Sequence, residues 1–178
     1  TAEVSEIVKL ANRFRLPIVS RGGGVGFAGG AVPVRGGIVI SMRRMSRVIE
    51  INPVDLLAVV EAGVITEDLH KAAEAKGLFY PPDPASLKQS TIGGNAAHNA
   101  GGPRAFKYGV TRQYLLGMEV VLPTGEIVNT GGRVVKNAVG YDLTDLMCGS
   151  DGTLGVITKL TLRLLPKPET TLTVMASF

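Results

Sequence analysis

The sequence is poor in the residues that cross-link chains and hold metals. It has one cysteine, Cys148, and two histidines, so an internal disulfide is excluded. No histidine–cysteine ligand spacing suits a metal ion. A lone cysteine favours a reducing compartment. No apolar run is long enough to span a bilayer, and no signal peptide is visible. Lysine and arginine number 19 against 15 aspartates and glutamates, a net charge of +4. That surplus is scattered, without the basic runs of nucleic-acid arms. The chain opens on Thr1 rather than Met and ends on the strand-like TLTVMASF, so the expectation is a piece of a longer protein.

What the chain has in excess is glycine, 23 in 178 residues, roughly twice the ~7 % of an ordinary protein. No Gly-X-Y period runs through it, and Val, Ile and Leu surround the glycines, which excludes collagen and low-complexity linkers. The glycines are clustered. None falls in residues 1–20, eight fall within 22–37, and thirteen lie between Gly93 and Gly155. Gly63 and Gly77 punctuate the stretch between.

Around these zones the periodicity is mixed. Val4, Ile7, Val8, Ala11 and Phe14 share one face of a helix over 2–14, with Thr1 as its N-cap. Strands are expected at 17–20, 38–42, 47–51 and 57–61, the last two joined by the turn Asn52-Pro53-Val54-Asp55. Thr66 starts a second helix that Gly77 stops. A hairpin is expected across Pro123-Thr124-Gly125, a short helix at 141–147 and a half-buried strand at 160–165. No strict βαβ rhythm appears, so the fold class expected is α+β.

The first glycine zone reads Arg-Gly-Gly-Gly-Val-Gly-Phe-Ala-Gly-Gly over 21–30. It contains G-x-G-x-x-G, but a strand follows where the Rossmann fingerprint needs a helix. The physical content survives: consecutive glycines turn the backbone tightly and aim several N–H groups at one point, a nest for anions and above all phosphate. The second zone, 81–102, interleaves small residues with side-chain amides. It reads as backbone lying flat against a large planar ligand. A third patch follows at 149–157. Three such loops in one short domain imply an extended ligand. Ser150 lies in no nucleophile elbow, and no triad is readable. Cys148 reads as a buried inert thiol and His70 as solvated. Arg43, Arg44 and Arg47 read as a solvated strand edge.

Together RGGGVGFAGG, PPDPAS, TIGGNAAHNAGGPRAFKYG, GYDLTDL and GSDGTLGVIT resemble the FAD-binding domain of the vanillyl-alcohol-oxidase-like (PCMH-type) flavoproteins, closest to their FAD-linked glycolate oxidase/D-lactate dehydrogenase branch. The resemblance covers the whole chain in order. It implies a PCMH-type α+β fold of two subdomains with mixed and antiparallel sheets, 1–50 carrying the pyrophosphate loop and 51–178 the second, with FAD between them. It also implies that the first strand and a C-terminal cap domain, where catalytic and metal-binding residues would lie, belong to the rest of a longer chain. No catalytic residue and no metal ligand is therefore named.

Carried over by position, Arg21, Gly22, Gly23, Gly24, Val25, Gly26 and Gly29 would wrap the FAD pyrophosphate. Pro82, Asp83, Thr91, Ile92, Gly93, Gly94 and Asn95 would line the middle and flavin end. Asn99, Ala100, Gly101, Tyr108 and Gly109 would continue that wall. Asp151, Gly155, Val156 and Ile157 would serve the ribose and adenine. Covalent-flavin members carry His where this chain has Val25, so FAD is expected to be non-covalent. Asp151 is one methylene shorter than the family's Glu, and His98 replaces a common Glu. Arg104 and Lys107 flank the flavin wall, where they would attract an anion. The implied activity is oxidation of a 2-hydroxy acid to the 2-oxo acid. The partners implied are that substrate and an electron acceptor or partner subunits, with no nucleic acid. The location is the cytoplasm, or the membrane periphery reached through partner subunits. The alternatives are a flavin-binding electron-transfer or scaffold subunit, another PCMH-type enzyme such as an ether-lipid transferase or an NADPH-dependent reductase, or a Rossmann domain.

Overall fold

The computed structural model describes residues 1–176. The first helix, α1 (Ala2–Phe14), forms where its 3.6-residue period predicts. Val4, Val8 and Ala11 are buried. Phe14, assigned to the same face, is 62 % exposed, because the helix outruns its support at that end. Arg15 closes α1 in the left-handed region, and Leu16 N donates to Ala11 O. Thr1 precedes α1 but does not cap it by side chain; its hydroxyl donates to Glu119 instead.

Two short strands, β1 (Ile18–Arg21) and β2 (Ile38–Ser41), pair in parallel. The first glycine zone is the connection between them. The main sheet has five antiparallel strands: β3 (Val48–Asn52), β4 (Leu57–Glu61), β6 (Leu115–Val121), β7 (Ile127–Gly131) and β8 (Val156–Arg163). Their spatial order is β3-β4-β8-β6-β7. The turn between β3 and β4 is fixed by Asn52, whose Oδ1 accepts from Val54 N and Asp55 N, both at 2.9 Å. A two-residue pair, β5 (Leu78–Phe79) with β9 (Leu165–Pro166), completes the strands. Helices plus mostly antiparallel sheets make the class α+β, as expected.

Helix α2 (Thr66–Glu74) starts at the expected residue. The second glycine zone departs from expectation. Residues 92–98 are not backbone laid flat but a helix, α3 (Ile92–His98). Thr91 caps it, its Oγ1 accepting from Gly94 N at 3.2 Å, and Asn99 ends it with φ 52°. Glycine, a poor helix former, serves close packing here: a Cβ at Gly93 would come within 2.6 Å of the Ala62 Cβ. Two short helices follow, α4 (Ala105–Tyr108) and α5 (Leu143–Met147).

The core gathers Leu160, Leu162 and Leu164 of and beside β8, Val60 of β4, Val120 and Val121 of β6, Leu69 of α2 and Ile92 of α3, all essentially inaccessible. The strand expected at 160–165 is therefore the centre of the sheet, starts at Val156 and ends at Arg163. Of the strand-like tail 171–178, residues 171–176 form no strand, and 177–178 lie outside the described residues. Among the described residues no helix is long and apolar enough to cross a membrane.

Candidate functional site

The connection after β1 leaves its own strand half-buried at Gly22, Gly23 and Val25 and runs exposed from Gly26 to Gly30. Its start is pressed onto the chain before α3: a Cβ on Gly22 would strike the Thr91 hydroxyl, and one on Gly23 the Gln89 carbonyl. The turn at 149–152 is docked from the other side. Gly149 N donates to Ala96 O at 3.0 Å and Asp151 N to Ala97 O at 2.8 Å. Gly152 sits beside the Ser20 hydroxyl. The three glycine-dense segments, remote in sequence, thus form the walls of one cleft with about 990 Å³ of empty space, counting the part open to solvent.

The cleft brings together fifteen of the expected residues. Arg21, Gly22, Gly23, Gly24, Val25, Gly26 and Gly29 form one wall. Thr91, Gly93, Gly94, Asn95 and Ala100 form the facing one, and Asp151, Gly155 and Ile157 close an end. The others stand behind the lining. Ile92 and Val156 are core residues. Pro82 is buried, its carbonyl 2.8 Å from His70 Nε2. Asp83 pairs with Arg104 at 3.4 Å. Asn99 accepts from Arg112 N at 3.0 Å. Gly101 packs near Val110, Gly109 near Gln113, and the Tyr108 carbonyl accepts from the Tyr114 hydroxyl.

Two lining residues, Met42 and Ala62, had no signal in the sequence, and three more belong to the second glycine zone without having been singled out. Met42 follows β2, Ala62 follows β4, and Pro84, Ser86 and Ser90 lie on the chain before α3. They reach the cleft only because these elements converge there. Ser20, Ala28, Gly30, Ala31, Ala97 and Gly152 join them, all neighbours of expected residues. His98 lines the cleft and stands 3.0 Å from Asp151 Oδ1. Arg112, unflagged by sequence, binds the Asp145 and Cys148 carbonyls at 2.8 Å each and so ties α5 to the turn.

Three titratable groups differ from or sharpen the sequence reading. His70 is not solvated: it is half-buried, edge-on to Tyr80 with ring centroids 5.8 Å apart, and burial lowers its pKa. Cys148 is buried, and burial pushes its thiol up to about 11, the inert state expected. Arg104, expected to attract an anion, already faces Asp83 and lies 5.0 Å over the Phe79 ring.

The chemistry of the cleft is that of an anion cradle. Among the described residues, no backbone N–H from Gly22 through Ala31 donates a hydrogen bond within the chain. A run of free N–H groups on one loop is a nest for phosphate oxygens, each such charge-assisted bond being worth about 1.5–3 kcal/mol. Arg21 adds a positive side chain to the same wall. At Gly26 a Cβ would meet no protein atom within 4 Å, so packing within the chain does not require glycine there. Close approach of a ligand to the backbone does require it. The residues present therefore fit a phosphate-bearing dinucleotide cofactor.

Comparison with known proteins agrees. Residues 1–131 match a family model described as "FAD binding domain". The chain is 51 % identical over its whole length to the glycolate oxidase subunit GlcD of Bacillus subtilis, covering 38 % of that protein. It is 46 % identical to a D-lactate dehydrogenase of Anaerostipes hadrus, covering 37 %. Among solved structures it is similar to alkyldihydroxyacetonephosphate synthase, with a TM-score of 0.80 and 29 % identity over 94 % of this chain and 33 % of that one. The chain thus spans less than two-fifths of the curated relatives it matches. On the matched residues and the geometry of its cleft, it belongs to the FAD binding domain family, with a PCMH-type fold.

Proposed function

We propose that this chain is the FAD-binding part of an oxidoreductase that converts a 2-hydroxy acid of the glycolate or D-lactate type to the 2-oxo acid. The observation that carries the reading is the glycine loop, residues 22–31 with unengaged backbone N–H groups, all but Phe27 lining one cleft. Identity to glycolate oxidase and D-lactate dehydrogenase sequences supports the substrate class. Bound FAD would supply the acceptor for the hydride leaving the substrate's C2.

The chain's own work is binding and orientation. Gly22 through Gly26 and Gly29, with Arg21, would hold the pyrophosphate. Thr91, Gly93, Gly94, Asn95 and Ala100 would lie along the middle and flavin end, and Asp151, Gly155 and Ile157 along the ribose and adenine. Pro82, Asp83, Ile92, Asn99, Gly101, Tyr108, Gly109 and Val156 would hold those walls from behind. Residues 1–50 and 51–178 would form the two subdomains. With Val25 in place of a histidine, the flavin would be held without a covalent bond. No residue of this chain is assigned to the proton or hydride step. Partner subunits, an electron acceptor and a cytoplasmic location belong to the same proposal.

The test is the visible spectrum of the purified protein, reconstituted with FAD, before and after acid precipitation. Flavin absorbance that co-purifies and passes to the supernatant is expected. A protein that cannot be reconstituted would overturn the reading. In the full-length enzyme, reduction of the flavin by D-lactate or glycolate under anaerobic conditions is expected. A flavin that stays oxidised with both would remove the substrate class and leave cofactor binding intact.

A further inference from the structure

Behind the wall of the cleft lies a buried polar chain. Thr66 opens α2 and is fully inaccessible. Its Oγ1 is 3.1 Å from the Ser90 carbonyl and 2.8 Å from the Ser90 hydroxyl. Asn95 of α3, itself 3 % exposed, places Nδ2 at 2.8 Å from the same Thr66 oxygen. Ser90 and Asn95 line the cleft; Thr66 does not.

The donor and acceptor inventory fixes the direction of this chain. A carbonyl only accepts, so the single Thr66 hydroxyl proton is directed at Ser90. The Thr66 oxygen can then only accept from Asn95, which turns the Asn95 amide nitrogen inward. Among the described residues, Asn95 Oδ1 has no hydrogen-bond partner. Among the described residues only the Tyr80 hydroxyl is fully buried without a partner, so the Asn95 oxygen keeps an opening, and Asn95 lines the cleft.

We propose that Thr66 is a positioning residue for the cofactor. It locks the Asn95 carboxamide with its nitrogen turned to α2 and its oxygen presented to the cleft, where that oxygen accepts from an N–H or O–H of FAD. The inference rests on the FAD reading above and adds a device that reaches the ligand through one intermediary.

The test measures the FAD dissociation constant by flavin fluorescence and the melting temperature of the FAD-free protein. The variants are Thr66→Val, Thr66→Ser, Asn95→Ala and the double variant Thr66→Val/Asn95→Ala. Thr66→Val is expected to weaken FAD binding about tenfold, the scale of one buried hydrogen bond, and Thr66→Ser to restore it to within about twofold. In the Asn95→Ala background, Thr66→Val should cost no further affinity, because residues acting through one another are non-additive. An unchanged affinity for Thr66→Val, or an equal loss in both backgrounds, would overturn the proposal. If Thr66→Val does not fold, Thr66→Ala makes the same comparison. Failure of both to fold would assign the hydroxyl to the fold and overturn it too. A wild-type protein that binds no FAD would instead sink the cofactor reading itself.

Discussion

The loop at 22–31 and helix α3 are both glycine-rich and line one cleft, but Gly93 of α3 and Gly26 of the loop stand in opposite surroundings. In α3 the backbone groups are engaged: Gly93 N donates to Ala62 O at 2.8 Å, Gly94 N to Thr91 Oγ1, and Asn95 N to Thr91 O. Its glycine is required by protein, since a side chain at 93 would collide with Ala62. In the loop the backbone donors are free, and at Gly26 nothing of the protein stands nearby. Packing requires glycine in α3 and at Gly22 and Gly23, where the loop meets the chain before α3, but not at Gly26. Composition alone merges the two.

That contrast can be broken by substitution. The largest effect is expected for Gly93→Val, which forces a branched side chain into the Ala62 backbone. Overpacking of this kind costs about 1–3 kcal/mol, and more where backbone cannot yield. A melting temperature lowered by several degrees in the FAD-free protein is the expected readout. Gly26→Val should do the reverse: FAD affinity falls at least about tenfold, one lost phosphate contact, while the melting temperature stays put. A Gly26→Val protein that binds FAD normally would remove the loop from the site.

The third expectation concerns the scaffold beneath α3. Glu61 ends β4 and is buried, with its carboxylate 2.8 Å from the Arg47 guanidinium. Those hydrogen bonds hold its pKa below the ordinary glutamate value. A lowered folded pKa contributes stability above the unfolded value that is lost as pH falls through the folded one. Glu61→Gln should therefore lower stability at neutral pH and flatten its decline in acid, seen by thermal melts from neutral to acid pH. A decline as steep as that of the wild type would assign the acid sensitivity elsewhere. The smallest effect is expected for Tyr80→Phe. The Tyr80 hydroxyl is buried without a hydrogen-bond partner among the described residues, so removing it should leave stability unchanged or raise it slightly. A loss above about 1 kcal/mol would mean that the hydroxyl is satisfied after all.

Much of the scaffold was legible because its signals are local. The 3.6-residue period gave α1 to the residue, and turn chemistry at Asn52 gave β4 its observed bounds. Helix α3 was not legible, because Gly93, Gly94 and Asn95 at its start have weak helix propensity and the helix is stabilised by packing on β4 and β8. Phe14 shows the converse limit: a residue in phase with the apolar face is 62 % exposed. For the site, the loop that lines the cleft with unengaged N–H groups was readable from its consecutive glycines. The contributions of Met42 and Ala62 were not, since nothing in their neighbourhoods marks them.

The sequence by itself determined the fold class, the phosphate-type loop and the inert cysteine, all of which depend on residues within a few positions of one another. Only the tertiary structure decided which glycines pack against protein and which stand clear of it, that His70 is held at Pro82, and that Asn95 meets Thr66. Those outcomes depend on atoms supplied by distant segments of the chain, and no local pattern encodes which segments will meet.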